Sequence, residues 1–257
     1  MSSVEKGEAF RALHEGEPFV IPNPWDAGSA RVLESLGFRA LATTSSGFAY
    51  SLGRTDGSVT LDEIAAHIRA LDAATSLPVS ADLENGYGPA PEDAGRAVSV
   101  AAAAGAAGGS IEDYDPRDGL YPLEAAVARV EAAAAAAREA GHPFTLTARA
   151  DNHIRGNPDL DDTIARLQAY ERAGADVLYA PGLRSADEIR AVSSAVSRPV
   201  NVLAFAGMTA EEIFGAGAQR ISVGGALTWV AASALVSAAE AVRDGDFSVL
   251  TGRPPFR

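Results

Sequence analysis

Short runs of apolar and β-branched residues recur along the chain, and each is bounded by Gly, Pro or polar residues. Continuous apolar runs of this length are typical of strands that are buried on both faces, as in a parallel sheet. The runs cover residues 19–24, 40–45, 78–83, 109–114, 144–151, 177–181, 199–204 and 220–225. The pattern therefore predicts eight parallel strands.

Helical patterns lie between these segments. The clearest one places Leu61, Ile64, Ala65, Ile68 and Leu71 on a single face. Capping boxes, in which a hydroxyl and a Glu three residues later satisfy each other's backbone N–H groups, are predicted at Thr60/Glu63, Ser185/Glu188 and Thr209/Glu212. Helix ends are predicted at Gly37, Gly105, Gly141 and Gly174.

Strand and helix alternate eight times, which predicts a (β/α)8 TIM barrel. We expect one domain over residues 1–257, with an irregular tail at 244–257, because no linker or change of composition interrupts the pattern. A doubly wound open sheet is the rival fold. It is disfavoured because no GxGxxG sequence follows the first strand.

Composition narrows the functional classes. The chain has no cysteine, which excludes disulfides, thiolate metal ligands and cysteine nucleophiles. Its net charge of −13 argues against nonspecific nucleic-acid binding, which needs a basic surface. No run of about 18 uncharged apolar residues and no signal-peptide pattern occurs, so we expect a cytoplasmic protein without a membrane span.

Acidic residues gather where the predicted strands end. Asp82 and Glu84 close the third strand, Glu112 closes the fourth, and Asp56 lies in the loop after the second. Catalytic groups of (β/α)8 barrels lie at the carboxyl ends of the strands, so we expect these four to share one rim. Several carboxylates in one site repel each other unless a cation is bound, and an all-oxygen site suits Mg²⁺ or Mn²⁺. The alternative is that they are solvated loop charges.

Other groups at the same rim suit an anionic substrate. Arg149 ends the fifth strand and can bind a carboxylate or phosphonate through two N–H groups, although a structural ion pair with Glu112 or Asp151 is the alternative. Ser46 and Gly47 offer backbone N–H groups after the second strand. Phe48 and Asn201 complete the predicted substrate-binding set.

The chain resembles the isocitrate lyase/phosphoenolpyruvate mutase superfamily over nearly its whole length. The matching stretches are NPWDAGSAR (23–31), TSSG (44–47) with Asp56, DLENGYG (82–88), SIED (110–113) and ARAD (148–151). This resemblance implies an enzyme that forms or uses a pyruvate enolate stabilised by Mg²⁺. It also implies a homo-oligomer, a tetramer or a dimer, in which the last helix is often exchanged between subunits.

The resemblance also implies roles for the site residues. Asp82 contacts the metal directly, while Asp56, Glu84 and Glu112 hold it mainly through water. The amides of Ser46 and Gly47 bind the carboxylate of a pyruvate-like unit, and Arg149 binds the group that is cleaved or transferred. Asp56, Glu112 and Arg149 are thus the candidates for catalytic residues.

Departures from the family pattern lie mainly in the loop after Glu112, which reads DPRDGL (115–120). The lyases carry a Lys-Lys-Cys-Gly-His stretch there, and the mutases and phosphonopyruvate hydrolases carry Lys and Asn. Glu84 stands where an Asp is commoner, and Ala180-Pro181-Gly182 stands where tricarboxylate lyases place an acid. The loop after Glu112 argues against both the cysteine-dependent lyase route and a classical mutase. The missing acid at 180–182 suggests a different or smaller substrate, and we expect a small 2-oxo acid that resembles oxaloacetate or phosphonopyruvate.

The sequence leaves three functions open. The first is C–C cleavage or decarboxylation of a 2-oxo acid, which needs no cysteine base. The second is C–P chemistry, as in phosphoenolpyruvate mutase or phosphonopyruvate hydrolase. The third is a protein that binds oxo acids but has lost its catalytic loop.

Overall fold

A ring of parallel strands forms the centre of the molecule, and the computed structural model describes residues 1–252. The strands are β1 (Phe19–Ile21), β2 (Leu41–Ala42), β3 (Val79–Asp82), β4 (Gly108–Glu112), β5 (Tyr114–Asp115), β6 (Gly119–Leu120), β7 (Thr145–Arg149), β8 (Val177–Tyr179), β9 (Val200–Leu203) and β10 (Arg220–Ser222). Eight of them pair in the order β1-β10-β9-β8-β7-β4-β3-β2, all in parallel. The remaining two, β5 and β6, form an antiparallel hairpin above the ring.

The two ends of this strand order meet. The backbone N–H of Ala42 donates to the carbonyl oxygen of Pro22 over 3.0 Å, which brings β2 beside β1. Each of the eight predicted strand segments overlaps one strand of the ring, although β4 begins one residue before its predicted segment. The predicted (β/α)8 TIM-barrel fold is therefore confirmed.

Helices surround the ring on its outer side. They are α1 (Ser3–Glu15), α2 (Ala27–Ser35), α3 (Ser45–Ser51), α4 (Leu61–Ala74), α5 (Pro91–Ala103), α6 (Leu123–Arg138), α7 (Leu160–Arg172), α8 (Ala186–Ala195), α9 (Ala210–Gly215) and α10 (Ala226–Arg243). The main core lies between strands and helices, where the apolar face predicted for α4 is buried. A smaller cluster around Phe10 and Phe19 fills the amino-terminal end of the barrel.

Local capping follows the sequence with one exception. Thr60 and Thr209 each accept a hydrogen bond from the third helical amide over 3.3 Å, and a Glu carboxylate reaches back to their own N–H. Ser185 accepts from the amide of Glu188, but the Glu188 carboxylate binds the backbone N–H of Arg184 instead. The four predicted glycines follow α2, α5, α6 and α7 with φ between +76° and +105°, as a left-handed helix end requires.

The last helix stands apart from the others. Only Thr228 of its residues is buried, and Trp229, Val230, Leu235 and Val236 expose between 46% and 66% of their surface. By length and composition, α10 is also the single helix of residues 1–252 that is apolar enough to cross a membrane, which is weak evidence for one. Residues 244–252 form turns, and the rest of the tail that the sequence predicts to be irregular lies outside the described residues.

Candidate active site

A cavity opens at the carboxyl ends of the strands and descends into the barrel. Its empty volume is about 490 Å³, which includes space open to solvent. Polar side chains from nearly every strand line it. We call it the central cavity, and its lining is Ile21, Asn23, Ala42, Thr43, Thr44, Ser80, Ala81, Asp82, Ser110, Arg149, Tyr179, Asn201, Arg220, Ser222 and Gly224.

Asp82 is fixed at the end of β3 by three backbone hydrogen bonds. Its Oδ2 atom accepts from the N–H of Ser45 over 3.2 Å, and its Oδ1 atom accepts from the N–H of Glu84 over 3.3 Å. Its own N–H donates to Oγ1 of Thr43 over 2.7 Å. No cationic side chain pairs with this carboxylate within the described residues, so lone pairs of both oxygens remain available to a ligand.

Glu84 begins a strained turn. Its φ is +47° and that of Tyr87 is +62°, a left-handed conformation that non-glycine residues rarely adopt. From α6, the buried Arg129 donates to the carbonyl oxygens of Asn85 and Gly88, which holds the turn in place. Backbone strain maintained by its surroundings in this way is often found at functional sites.

The environment of Glu84 disfavours its charge. Burial raises its pKa to about 8, and the negative charges of Asp82 and Asp56 add to the shift. Asp56 itself lies in an exposed loop, and a Cβ atom built on the next residue, Gly57, would lie about 4.0 Å from the Glu84 carboxylate. The structure therefore gathers three of the four predicted acids into one negatively charged group.

The fourth acid, Glu112, is held by arginines. Its Oε2 atom lies 3.0 Å from Nη1 of Arg149, and its Oε1 atom lies 3.5 Å from Nη2 of Arg155. Burial raises the pKa of Glu112, against the opposing effect of Arg149. Among the described residues, no three Asp, Glu or His side chains lie close enough together to hold a metal ion directly. The donor set suits a cation held by few direct ligands and by water.

Arg149 makes both of the ion pairs that the sequence offered as its structural alternative. Its Nε and Nη2 atoms donate to the two oxygens of Asp151 over 2.5 and 2.9 Å, and Nη1 faces Glu112. A guanidinium has five N–H donors, so two remain. Since Arg149 lines the central cavity, the pairing orients it there and still leaves donors for a bound anion.

A second buried network lies beside the Arg149–Asp151 ion pair. Asp113 accepts hydrogen bonds from Nη1 of Arg166 over 3.0 Å, from the Tyr170 hydroxyl over 2.5 Å and from the backbone N–H of Asp151 over 2.7 Å. These contacts join β4 and the end of β7 to α7. Asp113 is therefore fully engaged in the fold, although it lies beside Glu112 in the sequence.

The residues predicted to bind substrate after β2 have different surroundings in the structure. The amide of Gly47 donates to Oγ1 of Thr44 over 3.3 Å, and a Cβ atom at Gly47 would come within 2.6 Å of Thr228. Phe48 stacks on His67 with ring centroids 3.8 Å apart, and its amide donates to the carbonyl oxygen of Thr44. The ring of Phe48 is thus turned to α4, and this placement gives no support for its predicted substrate contact.

Asn201 does line the central cavity, but its amide is engaged on both sides. Oδ1 accepts from Nε of Arg220 over 2.7 Å, and Nδ2 donates to Oγ of Ser222 over 3.0 Å. Tyr179, on the neighbouring strand β8, also lines the cavity. The sequence reasoning missed Tyr179, Arg220 and Ser222. The spacing of Arg220 and Ser222, two apart on one strand, was the available signal that both face the same side of the sheet.

These features define a (β/α)8-barrel enzyme with an acidic group and an oriented arginine at the carboxyl ends of its strands. The family model described as phosphoenolpyruvate phosphomutase matches residues 10–243. The chain belongs to this family, within the phosphoenolpyruvate mutase/isocitrate lyase superfamily, and the predicted resemblance is confirmed.

Relatives with named activities include lyases and decarboxylases. An oxaloacetate decarboxylase of Bradyrhizobium diazoefficiens is 33% identical, over 78% of this chain and 71% of the relative. The 2-methylisocitrate lyase of Escherichia coli K12 is 32% identical, over 78% of this chain and 70% of the relative. The enzyme class predicted from the sequence is therefore confirmed at the level of the superfamily.

Solved structures show the same fold. A protein of Burkholderia cenocepacia J2315 assigned as a lyase/mutase is 51% identical, with a TM-score of 0.95, and the match covers 98% of this chain and 94% of that one. A phosphonopyruvate hydrolase solved with oxalate and Mg²⁺ is 25% identical, with a TM-score of 0.86, and covers 98% of this chain and 90% of that one.

Proposed function

We propose that this enzyme cleaves a C–C bond of a small 2-oxo acid, with oxaloacetate decarboxylation as the reaction and Mg²⁺, or Mn²⁺ in its place, as the cofactor. The observation that carries the proposal is that Asp82 and the oriented Arg149 line one small cavity, while the charges of Asp82 and Asp56 raise the pKa of the nearby Glu84. Without a cation this group holds more negative charge than its burial favours, as the raised pKa of Glu84 indicates.

The residues present fit a hydrated divalent cation. Asp82 would contact it directly, because its carboxylate has no cationic partner, while Asp56, Glu84 and Glu112 would hold it mainly through water. A bound Mg²⁺ supplies positive charge that stabilises a developing enolate oxygen. The structurally similar phosphonopyruvate hydrolase, which was solved with Mg²⁺ and oxalate, supports this assignment.

The substrate would be held by the first turn of α3 and by Arg149, with the Gly47 amide exchanging its 3.3 Å contact with Thr44 for the substrate. The first turn of α3, with the amides of Ser46 and Gly47, would face one carboxylate, and the two unused N–H groups of Arg149 would bind the other. Decarboxylation breaks the bond between C3 and the distal carboxylate, whose electron pair forms the enolate as CO₂ leaves. A proton from solvent then returns to C3 and gives pyruvate.

Decarboxylation fits this chain better than the related aldol cleavages. The hairpin of β5 and β6 carries Pro116, Arg117 and Asp118 at its tip and no cysteine. Decarboxylation needs no base to remove a substrate proton, so the absence of a cysteine from this hairpin does not prevent it. The similarity to an oxaloacetate decarboxylase over 78% of the chain supports the same choice.

The test is turnover of a panel of substrates by the purified protein with Mg²⁺: oxaloacetate, phosphonopyruvate, phosphoenolpyruvate and methylisocitrate. We expect pyruvate without phosphate from oxaloacetate. Because free Mg²⁺ itself promotes this decarboxylation, the rate must exceed that of an Asp82→Ala control at equal metal concentration. Phosphate released from phosphonopyruvate, with oxaloacetate left intact, would assign the protein to C–P chemistry instead.

We also propose that the protein is a homo-oligomer, a dimer or tetramer, and that α10 packs against another copy. The support is the exposed apolar surface of Val230, Leu235 and Val236, on a helix that buries one residue against its own barrel. In the family this helix is often exchanged between subunits. Such packing would cover apolar surface that otherwise stays in water.

A further inference from the structure

An arginine without an acidic partner lies inside the barrel. Arg220 exposes 5% of its surface, and no carboxylate among residues 1–252 comes within ion-pair distance of it. Its guanidinium instead donates to Oδ1 of Asn201, to Oγ1 of Thr147 over 3.0 Å and to Nε2 of His14 over 3.0 Å. A buried cation with only neutral acceptors is costly, which calls for a reason to keep it.

Arg220 fixes the direction of every hydrogen bond around it, because a guanidinium only donates. The atom of Asn201 that faces Arg220 must be the carbonyl oxygen, so the amide nitrogen must face Ser222. The atom of His14 that faces Arg220 must be an acceptor, so the ring proton lies on Nδ1. That proton is donated to the carbonyl oxygen of Phe10 over 2.8 Å.

The same polarity continues along the wall of the central cavity to Tyr179. Ser222 accepts from Nδ2 of Asn201, so its own hydroxyl proton is free to be donated elsewhere. Ser222 lies close enough to Tyr179 for its hydroxyl to lower the pKa of the phenol, against the larger effect of burial, and Tyr179 lines the central cavity with Arg149 and Asp82. When Ser222 donates to the phenol oxygen, the phenol proton has to point away from Ser222.

We propose that Tyr179 is a substrate-binding residue that donates its phenol proton to an anionic oxygen of the bound 2-oxo acid, and that Arg220, Asn201 and Ser222 position that proton. This inference rests on the proposed function and extends it to a further residue that lines the same cavity. Burial raises the pKa of Tyr179, which keeps the phenol protonated and able to donate. Asn201, with both ends of its amide engaged, acts through Tyr179.

The first test uses oxalate as the probe and isothermal calorimetry in the presence of Mg²⁺. We expect Tyr179→Phe to weaken oxalate binding about tenfold, the size typical of one hydrogen bond to a charged group. Tyr50→Phe makes the same chemical change at an exposed site on α3 and is expected to bind as the wild type does. Equal affinity of Tyr179→Phe and the wild type would refute this inference and leave the proposed function standing.

The wild-type measurement separates the two proposals. If the wild-type protein with Mg²⁺ binds no oxalate and turns over none of the four substrates, both the proposed function and the role of Tyr179 are wrong. If oxalate binds and Tyr179→Phe loses affinity, the same variant is expected to raise KM for oxaloacetate by a similar factor.

The second test asks whether the network directs Tyr179. Ser222→Ala is expected to weaken oxalate binding in the wild-type background but not in the Tyr179→Phe background, because its effect passes through the phenol. Ser222→Thr retains the hydroxyl and is expected to restore most of the affinity, which separates direction of the proton from damage to the fold. Equal losses in the two backgrounds would show that Ser222 acts independently and would overturn the positioning role.

Discussion

The backbone N–H of Ser45, the first residue of α3, donates to Oδ2 of Asp82 at the end of β3. This contact ties the turn that would receive the substrate carboxylate to the side chain that would bind the metal. A change at Asp82 therefore acts on both parts of the candidate site.

Replacing Asp82 by Ala is expected to remove metal-dependent oxalate binding. The loss should reach about 100-fold or more, because even groups that only support metal ligands typically contribute 10–100-fold. Calorimetry with and without Mg²⁺ measures it. Asp187→Ala, at an exposed position paired with Arg190, is the matched control and should bind oxalate normally. Unchanged affinity in Asp82→Ala would mean that the metal ligand has been misassigned.

Replacing Arg149 by Met is expected to lower the free energy of unfolding as well as activity. The change leaves Glu112 and Asp151 buried without their principal cation, and breaking a buried pair in this way typically costs about 3–5 kcal/mol. Urea unfolding measures the loss. Arg54→Met, which breaks an exposed pair with Glu63, should have a much smaller effect, since solvent screens exposed charges. Equal effects would contradict a structural contribution from the Arg149 pairs.

The sequence predicts the acids of the site, but it offers their pairing with Arg149 only as an alternative. Buried strands have apolar runs that can be read directly, and the carboxyl end of each run gave Asp82, Glu112 and Arg149. Which charges meet depends on register. Arg149 stands opposite Glu112 across β4 and β7, while Asp82 stands opposite Ser110, so Glu112 pairs with arginine and Asp82 does not.

Tyr179 and Arg220, which also line the cavity, were harder to predict for a related reason. Arg220 and Tyr179 lie inside segments that read as apolar strands, and a short fully buried strand does not reveal which side chains face the barrel axis. The orientation of the Phe48 ring depends on its packing against His67 of another helix, which the local sequence does not encode.

The stability of the fold is expected to fall in acid partly because of His14. Burial, and then the charge of Arg220, lowers the pKa of His14 from 6.5 to about 3, so the native state holds it neutral. The unfolded chain takes up a proton near pH 6.5, so this contribution is complete above that pH and is lost as the pH falls toward 3. In the middle of this window the loss approaches about 1.4 kcal/mol per pH unit.

His14→Gln tests that expectation. A Gln amide offers an acceptor to Arg220 and a donor to the Phe10 carbonyl but has no proton to gain. Urea unfolding at pH 7.5, 6 and 4.5 should show a shallower decline for this variant than for the wild type. Parallel declines would show that His14 does not contribute to the acid sensitivity.

The metal-free protein is expected to lose stability as the pH rises through the range in which Glu84 ionises. Burial, with the charges of Asp82 and Asp56, raises the folded-state pKa to about 8 from 4.5. The native state therefore binds the proton more tightly, and this contribution is complete below pH 4.5 and is lost between pH 4.5 and 8. Added Mg²⁺ favours the carboxylate, so its stabilising effect should grow over the same range.

Urea unfolding at pH 5.5 and 8.5, with EDTA and then with Mg²⁺, measures both trends. Gln cannot ionise, so in the presence of EDTA the stability of Glu84→Gln should change less between pH 5.5 and 8.5 than that of the wild type. If the difference in stability between the metal-free wild type and Glu84→Gln is the same at pH 5.5 and pH 8.5, ionisation of Glu84 does not destabilise the fold.

Charged substitutions on α10 are expected to break the oligomer into smaller species. Val230 and Leu235 expose 66% and 64% of their surface on a helix that contributes little to its own barrel, so a Glu at either position would introduce a charge into the interface without disturbing the core. Sedimentation velocity of Val230→Glu and Leu235→Glu should show a lower mass than the wild type. Val4→Glu, at an exposed apolar position of α1, is the control and should sediment as the wild type does. A wild-type protein that already sediments as a monomer would refute the proposed packing of α10 against another copy.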